Sequence, residues 1–235
     1  MSSVWELSKP GVLAELHPQL KQYFSEIPAG QIARGAGYFE WAGSPRRWLW
    51  PFLAVLGKDQ VLFPAWQQRV RFEIENEPRI NQHGQNSILA RRTFYFERGA
   101  RTMLDEITAE RYSAPGSSST DHLLIDYLGR SRRLAATLQL TAEGGALRVN
   151  STAVSLRCWG HRFELPRCIA PRIELTERFD ELTGLQSMSL KLFQPQLGLL
   201  YEYSGSFRYW LEPAEGRCSA ESGGSTGMTQ TTGQR

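Results

Sequence analysis

The sequence predicts an α+β fold that is mostly antiparallel β, one strongly curved sheet or open barrel of about eight or more strands with short helices near the N-terminus acting as a lid. Two observations carry this expectation. From Val70 onward, apolar residues recur at every second position in many short segments separated by Gly- and Asn-containing turns. Helical spacing is confined to the region before residue 60, so no helices alternate with the strands as a parallel sheet would require.

The first element spans residues 11–24, where Val12, Leu13, Leu16, Leu20, Tyr23 and Phe24 recur at helical spacing. Pro18 marks a kink there, or a join between two short turns. Ile27-Pro28-Ala29-Gly30 breaks the helix. Residues 31–41 read as a strand whose Gly35 and Gly37 signal a bulge or the close approach of another backbone. The apolar run 48–57 reads as a short amphipathic helix over the core, with Ser44 as N-cap, Pro45 in its first turn and Gly57 at its end.

Val70, Phe72 and Ile74 alternate with Arg71, Glu73 and Glu75, which is a strand with one wet face. Residues 76–85 carry Pro78, Asn81 and His83-Gly84 and read as a turn. Strands follow over 88–98 and 100–111, then a flexible loop at Pro115-Gly116-Ser117-Ser118-Ser119. Further strands are expected over 123–128, 133–141, 146–159, 173–179, 186–193 and 199–211, with a hairpin at Glu143-Gly144-Gly145. This gives a helical N-terminal segment over 1–30, a β-rich domain over 31–213 and a polar tail over 214–235 that is expected to be disordered.

Composition narrows the function classes. Hydrophobic residues make up 41% and charged residues 22%, an ordinary globular balance. Against 24 acidic residues stand 27 basic ones, spread along the chain, so no basic track for nucleic acid is formed. Cys158, Cys168 and Cys218 are too few and too scattered for a disulfide framework. The residues before Val12 do not read as a secretory leader and no run of about 18 apolar residues occurs, so the expectation is a chain without a signal peptide or membrane span, located in the cytoplasm.

Four stretches carry a resemblance: Ile32-Ala33-Arg34-Gly35-Ala36-Gly37, the apolar run ending at Leu56-Gly57, Leu165-Pro166-Arg167-Cys168-Ile169-Ala170-Pro171-Arg172, and Gly198-Leu199-Leu200-Tyr201-Glu202-Tyr203-Ser204-Gly205. Their order and spacing over residues 31–213 resemble the bacterial family catalogued as domain of unknown function 4166. Members of that family occur alone or fused behind reductase-like domains of the saccharopine dehydrogenase type. The resemblance implies an uncharacterised domain and a possible reductase-like protein partner, and it brings no activity.

No motif calls for a cofactor or a metal. His17, His83, His122 and His161 are scattered, and Cys158 with His161 makes only half of a metal site. No nucleophile elbow or P-loop occurs, and Gly35-Ala36-Gly37 opens no helix after a strand. Asp105-Glu106 and Asp121-His122 have the residue types for acid–base work, although such pairs are more often solvated.

The tryptophans are more informative. Trp41, Trp48, Trp50 and Trp66 cluster around the apolar run. They either fill the core beneath a helical cover or line the mouth of a cavity. The expected function is therefore non-catalytic binding of an apolar or lipid-like small molecule under the lid. Trp48, Trp50 and Trp66 are its expected walls, and Arg34, Arg92 and Arg172 its polar anchors. The alternatives are an interaction module for a separate reductase-like partner, peripheral contact with a membrane surface through Trp48, Trp50 and Phe52 beside Arg46 and Arg47, and an enzyme of unknown type.

Overall fold

The structure, a computed structural model, describes residues 3–81, 83–112, 121–159 and 161–214. The 115–119 loop and, beyond Ala214, the tail lie outside the described residues. The strands are β1 (Gln31–Gly43), β2 (Trp66–Ile80), β3 (Asn86–Phe96), β4 (Gly99–Tyr112), β5 (Asp121–Leu128), β6 (Leu134–Glu143), β7 (Ala146–Cys158), β8 (His161–Glu164), β9 (Arg172–Asp180), β10 (Leu185–Gln194) and β11 (Gly198–Pro213). Their order is β6-β5-β4-β3-β2-β1-β11-β10-β9-β7-β8, and β6 also pairs with β7. That last pairing closes ten strands into an antiparallel barrel and leaves β8 as an extra strand on β7. Mostly antiparallel β is therefore the observed class, and the curved sheet has no free edge along the closed strands.

Local chemistry explains where the elements differ from the pattern. The helical spacing over 11–24 resolves into a 3₁₀ turn, Val12–Glu15, and helix α2, Pro18–Phe24, with Pro18 in its first turn. A further short helix, α1 (Val4–Ser8), precedes them and is N-capped by Ser3. The apolar run forms a 3₁₀ turn at Arg47–Leu49 and helix α3, Trp50–Lys58. Pro51, not Pro45, occupies its first turn. The turn expected over 76–85 is shorter, because β2 continues to Ile80. Pro78 is tolerated in β2 because pairing with β1 ends at Asn76, so Pro78 faces only Ile88 of β3.

Gly35 and Gly37 mark close backbone approach. A Cβ on Gly35 would lie 2.7 Å from the Ile74 Cγ2, and one on Gly37 would overlap the Ser206 carbonyl oxygen. The irregularity in β1 comes later, between Phe39 and Trp41. Gly144 and Gly145 take positive φ values of 57° and 77°, which fits the tight β6–β7 hairpin.

Both ends of the barrel are covered. At the end where β4 and β6 finish, the N-terminal segment buries Val4, Trp5, Val12, Leu20 and Phe24. It is tied to the β6–β7 turn, where the His17 backbone N–H donates to the Gly145 carbonyl at 2.9 Å. At the other end lie α3, through buried Leu53, and Phe63, whose ring meets Phe94, Phe96 and Tyr201. Between them Phe39 stacks on Phe72 and Phe94, and Tyr203 meets Phe39 and Phe94 at tilted and edge-on angles across the interior.

Candidate functional site

A belt of polar side chains crosses this apolar interior. Four consecutive strands each place one polar residue at an inward position: Asn76 on β2, Arg92 on β3, Asp105 on β4 and Asp126 on β5. The register shows why they meet. Asn76 opposes Ala90, Arg92 opposes Ile74 and Met103, Asp105 opposes Ala90, and Asp126 opposes Ile107. From the facing wall come Glu177 on β9, opposite Leu147 and Met188, and Gln186 on β10, opposite Phe207. Tyr203 of β11 and Tyr23 of α2 complete the belt.

Arg92 Nη1 forms an ion pair with Asp105 Oδ1, and Gln186 Nε2 donates to Glu177 Oε2. The Asn76 amide donates to the Tyr23 hydroxyl at 3.5 Å, at the outer limit of a hydrogen bond. The Tyr203 phenol feels the charges of Arg92, Asp105, Asp126 and Glu177, which ties the two walls into one electrostatic unit. Asn76 Oδ1, Arg92 Nε, Asp105 Oδ2 and Asp126 Oδ1 are sealed from solvent without a hydrogen-bond partner among the described residues.

Burial dominates the protonation of these groups, because removing water penalises the charged form of an acid. It pushes Asp105 up, with Arg92 opposing. Asp126 is pushed up strongly by burial and by the like charge of Asp105, again with Arg92 opposing. Burial raises Glu177 to about 7, against the Gln186 hydrogen bond and the Arg92 charge. Burial also disfavours the Arg92 cation, but Asp105 and its other neighbours outweigh this and hold the guanidinium charged. Chemically, the belt offers acceptors, one anchored cation and buried carboxyl groups held toward their neutral forms.

The residues picked from sequence do not form one cluster. Arg92 lies inside the barrel. Arg34 is on the outer wall, paired with Glu75 at 3.1 Å and with Glu212. Arg172 lines a shallow surface cleft with Ser151, Arg167 and Pro171. Trp50 packs on the core from α3, and its indole N–H donates to the Ser44 carbonyl at 3.3 Å. Trp48 is 59% exposed. Trp66 stacks on Trp41 with centroids 4.8 Å apart. Of the acidic pair Asp105-Glu106, Asp105 points inward and Glu106 outward, where it accepts from Ser87 Oγ at 2.7 Å and pairs with Arg132. Cys158 and His161 oppose each other across β7 and β8.

Asn76, Asp126, Glu177, Gln186 and Tyr23 carry the site without having been singled out for it. The sequence does hold a signal for three of them. Asn76 is in phase with Phe72 and Ile74, Asp126 with Leu124 and Leu128, and Glu177 with Leu175 and Phe179. A polar residue in the apolar phase of a strand is a buried polar residue, and that requires a partner.

Among the described residues no helix is long and apolar enough to cross a membrane. Comparison with known proteins places the chain near one curated relative, the uncharacterized protein YndH of Bacillus subtilis (strain 168). It is 25% identical over 211 residues, covering 88% of this chain and 97% of that protein. No solved structure matches. Residues 16–207 match the family described as domain of unknown function (DUF4166), a span that includes α2, strands β1 to β10, most of β11 and every residue of the belt, and the chain therefore belongs to that family.

Proposed function

We propose that the protein binds one small, largely apolar molecule inside the barrel, between the N-terminal plug and the α3 lid, without catalysing a reaction on it. The unpartnered atoms of the belt carry this reading. Buried polar atoms are nearly always satisfied by protein, water or ligand. Here Asn76, Arg92, Asp105 and Asp126 each keep one that no described residue satisfies. Three of the four are acceptors, so a hydroxyl or protonated amine at the ligand's polar end satisfies them, and Arg92 Nε supplies one donor in return. Phe72, Phe94, Met103, Ile107 and Leu124, all buried around the belt, suit an apolar body. Arg92 then acts as anchor and Trp50 as part of the wall at the lid. An eight-stranded barrel already holds a small ligand, and a ten-stranded one is wider.

Solvent extraction of the purified protein followed by mass spectrometry tests this. The expected result is one compound retained in near-equimolar amount, and its depletion in the Asn76→Leu/Asp126→Leu double variant, with folding checked by circular dichroism. Ligand-free protein in both samples overturns the reading.

A second reading draws on the outer face of α3 and the 3₁₀ turn before it, where Phe52, Val55 and Trp48 are 60%, 63% and 59% exposed. Exposed apolar side chains grouped on one helix face suit contact with another protein. Under this reading the domain works with a separate reductase-like partner. Size-exclusion co-elution with such a partner, abolished by Phe52→Ser, is the expected result.

A further inference from the structure

On the outer wall of the barrel a cleft of about 470 Å³ opens between β4, β5 and the β6–β7–β8 region. Four arginines line it: Arg111 on β4, Arg133 just before β6, Arg157 on β7 and Arg162 on β8. Glu110 and Tyr127, also in the lining, occupy outward positions on β4 and β5, with the belt residues Asp105 and Asp126 on the other side of the same strands. The cleft is thus separated from the barrel interior by the sheet itself.

Two of its side chains are fixed in advance. The Arg162 guanidinium lies across β6 and β7, with Nε donating to Ser155 Oγ at 2.7 Å and Nη2 to Thr137 Oγ1 at 3.0 Å. Glu110, the acidic residue in the lining, accepts from the Tyr127 hydroxyl at 2.5 Å. Arg111, Arg133 and Arg157 have no side-chain hydrogen bond or ion pair with any described residue, while neighbouring Arg132 is paired with Glu106. Gathering guanidinium groups around one concavity opposes itself electrostatically unless an anion joins them. Each guanidinium presents paired donors that match the oxygens of a phosphate, and several around one cleft suit a multiply charged anion.

We infer that this cleft binds a small soluble molecule bearing a phosphate or diphosphate group. The restricted volume favours a small ligand, and a chain whose net charge is only +3 offers no extended basic track for a polymer. The inference stands apart from the proposed interior site and shares no residue with it.

Isothermal titration of the full chain with inorganic pyrophosphate tests it. Micromolar binding at low salt is expected, weakened at least about tenfold in the Arg133→Ala/Arg157→Ala double variant. Arg71→Ala, which removes an arginine paired with Glu73 on another part of the wall, is expected to bind as the parent does. If the double variant fails to fold, Arg157→Lys keeps the charge, removes the fork and is expected to weaken binding several-fold. No binding of pyrophosphate, or binding that survives loss of both arginines, overturns the inference. So does binding to phosphatidylcholine vesicles containing phosphatidic acid when pyrophosphate itself does not bind.

Discussion

Arg92 on β3 and Asp105 on β4 join in an ion pair on the inner face of the barrel, diagonally across the ladder in which Arg92 opposes Met103 and Asp105 opposes Ala90. Asp126 and Glu177 share the field of that one guanidinium. Removing the cation strands buried carboxyl groups, and breaking a buried pair from one side costs about 3–5 kcal/mol. Arg92→Met is therefore expected to lower unfolding free energy by that order in urea titrations. The Arg92→Met/Asp105→Leu double variant is expected to recover much of the loss, because apolar replacement of a whole buried pair is often neutral. Equal losses in both variants would show that packing, and not the stranded charge, sets the cost.

The pH dependence of stability is expected to carry the mark of Glu177. Its carboxyl titrates at about 7 in the folded chain, against an ordinary value near ~4.3 when unfolded. Between those values the folded state holds a proton that the unfolded state has released, so stability falls as pH rises through the window and levels off above it. The full difference is on the order of 4 kcal/mol. Glu177→Gln keeps an acceptor for Gln186 and cannot ionise. Its unfolding free energy is expected to exceed the parent's at pH 8 and to fall less steeply than the parent's between pH 5 and 7, measured by urea denaturation across that range.

The strands were legible because alternation survives in a single sequence. Val70, Phe72 and Ile74 announce an inner face without any knowledge of the partner strand. Closure was not legible, because β7, joined to β6 by the hairpin that Glu143-Gly144-Gly145 announces, must also pair with β9, a contact between separated segments with no local cue. The belt shows the same limit. Arg92 drew notice as an arginine, but its partner Asp105 reads as half of a solvated acidic pair until the register shows which of Asp105 and Glu106 turns inward. The tryptophans show that nearness in sequence does not fix a shared environment. Trp66 and Trp48 are near in sequence to the lid, yet one stacks on Trp41 and the other faces solvent.

Gly37 and Gly205 mark a place where two backbones press together. Gly37 faces Phe207 and Gly205 faces Phe39 in the β1–β11 ladder, and a Cβ on either would overlap the facing strand's carbonyl oxygen, Ser206 or Tyr38. Gly205→Ala is expected to abolish soluble folded protein, or to cost at least about 3 kcal/mol, since an added methyl in a packed interior forces the backbone apart. Gly184 provides the contrast. It has φ +65° and open space around it, so Gly184→Ala is expected to cost only about 1 kcal/mol. Thermal unfolding of the two variants side by side separates steric overlap from backbone strain.

The N-terminal plug is held by packing more than by hydrogen bonding, and Leu20 and Tyr23 of α2 allow the two to be told apart. Leu20 is fully buried, so Leu20→Ala leaves a cavity and is expected to cost about 2–5 kcal/mol. The Tyr23 ring meets Phe24, Phe207 and Tyr209 at centroid distances of 4.7, 5.9 and 4.7 Å, while among the described residues its hydroxyl has only the long contact from Asn76 at 3.5 Å. Tyr23→Phe keeps every ring contact and is expected to change stability by less than about 1 kcal/mol. Tyr23→Ala removes the ring and is expected to cost about 3–5 kcal/mol. Should Tyr23→Phe prove as costly as Tyr23→Ala, the hydroxyl and the polar belt beneath it, not the aromatic contacts, hold the plug in place.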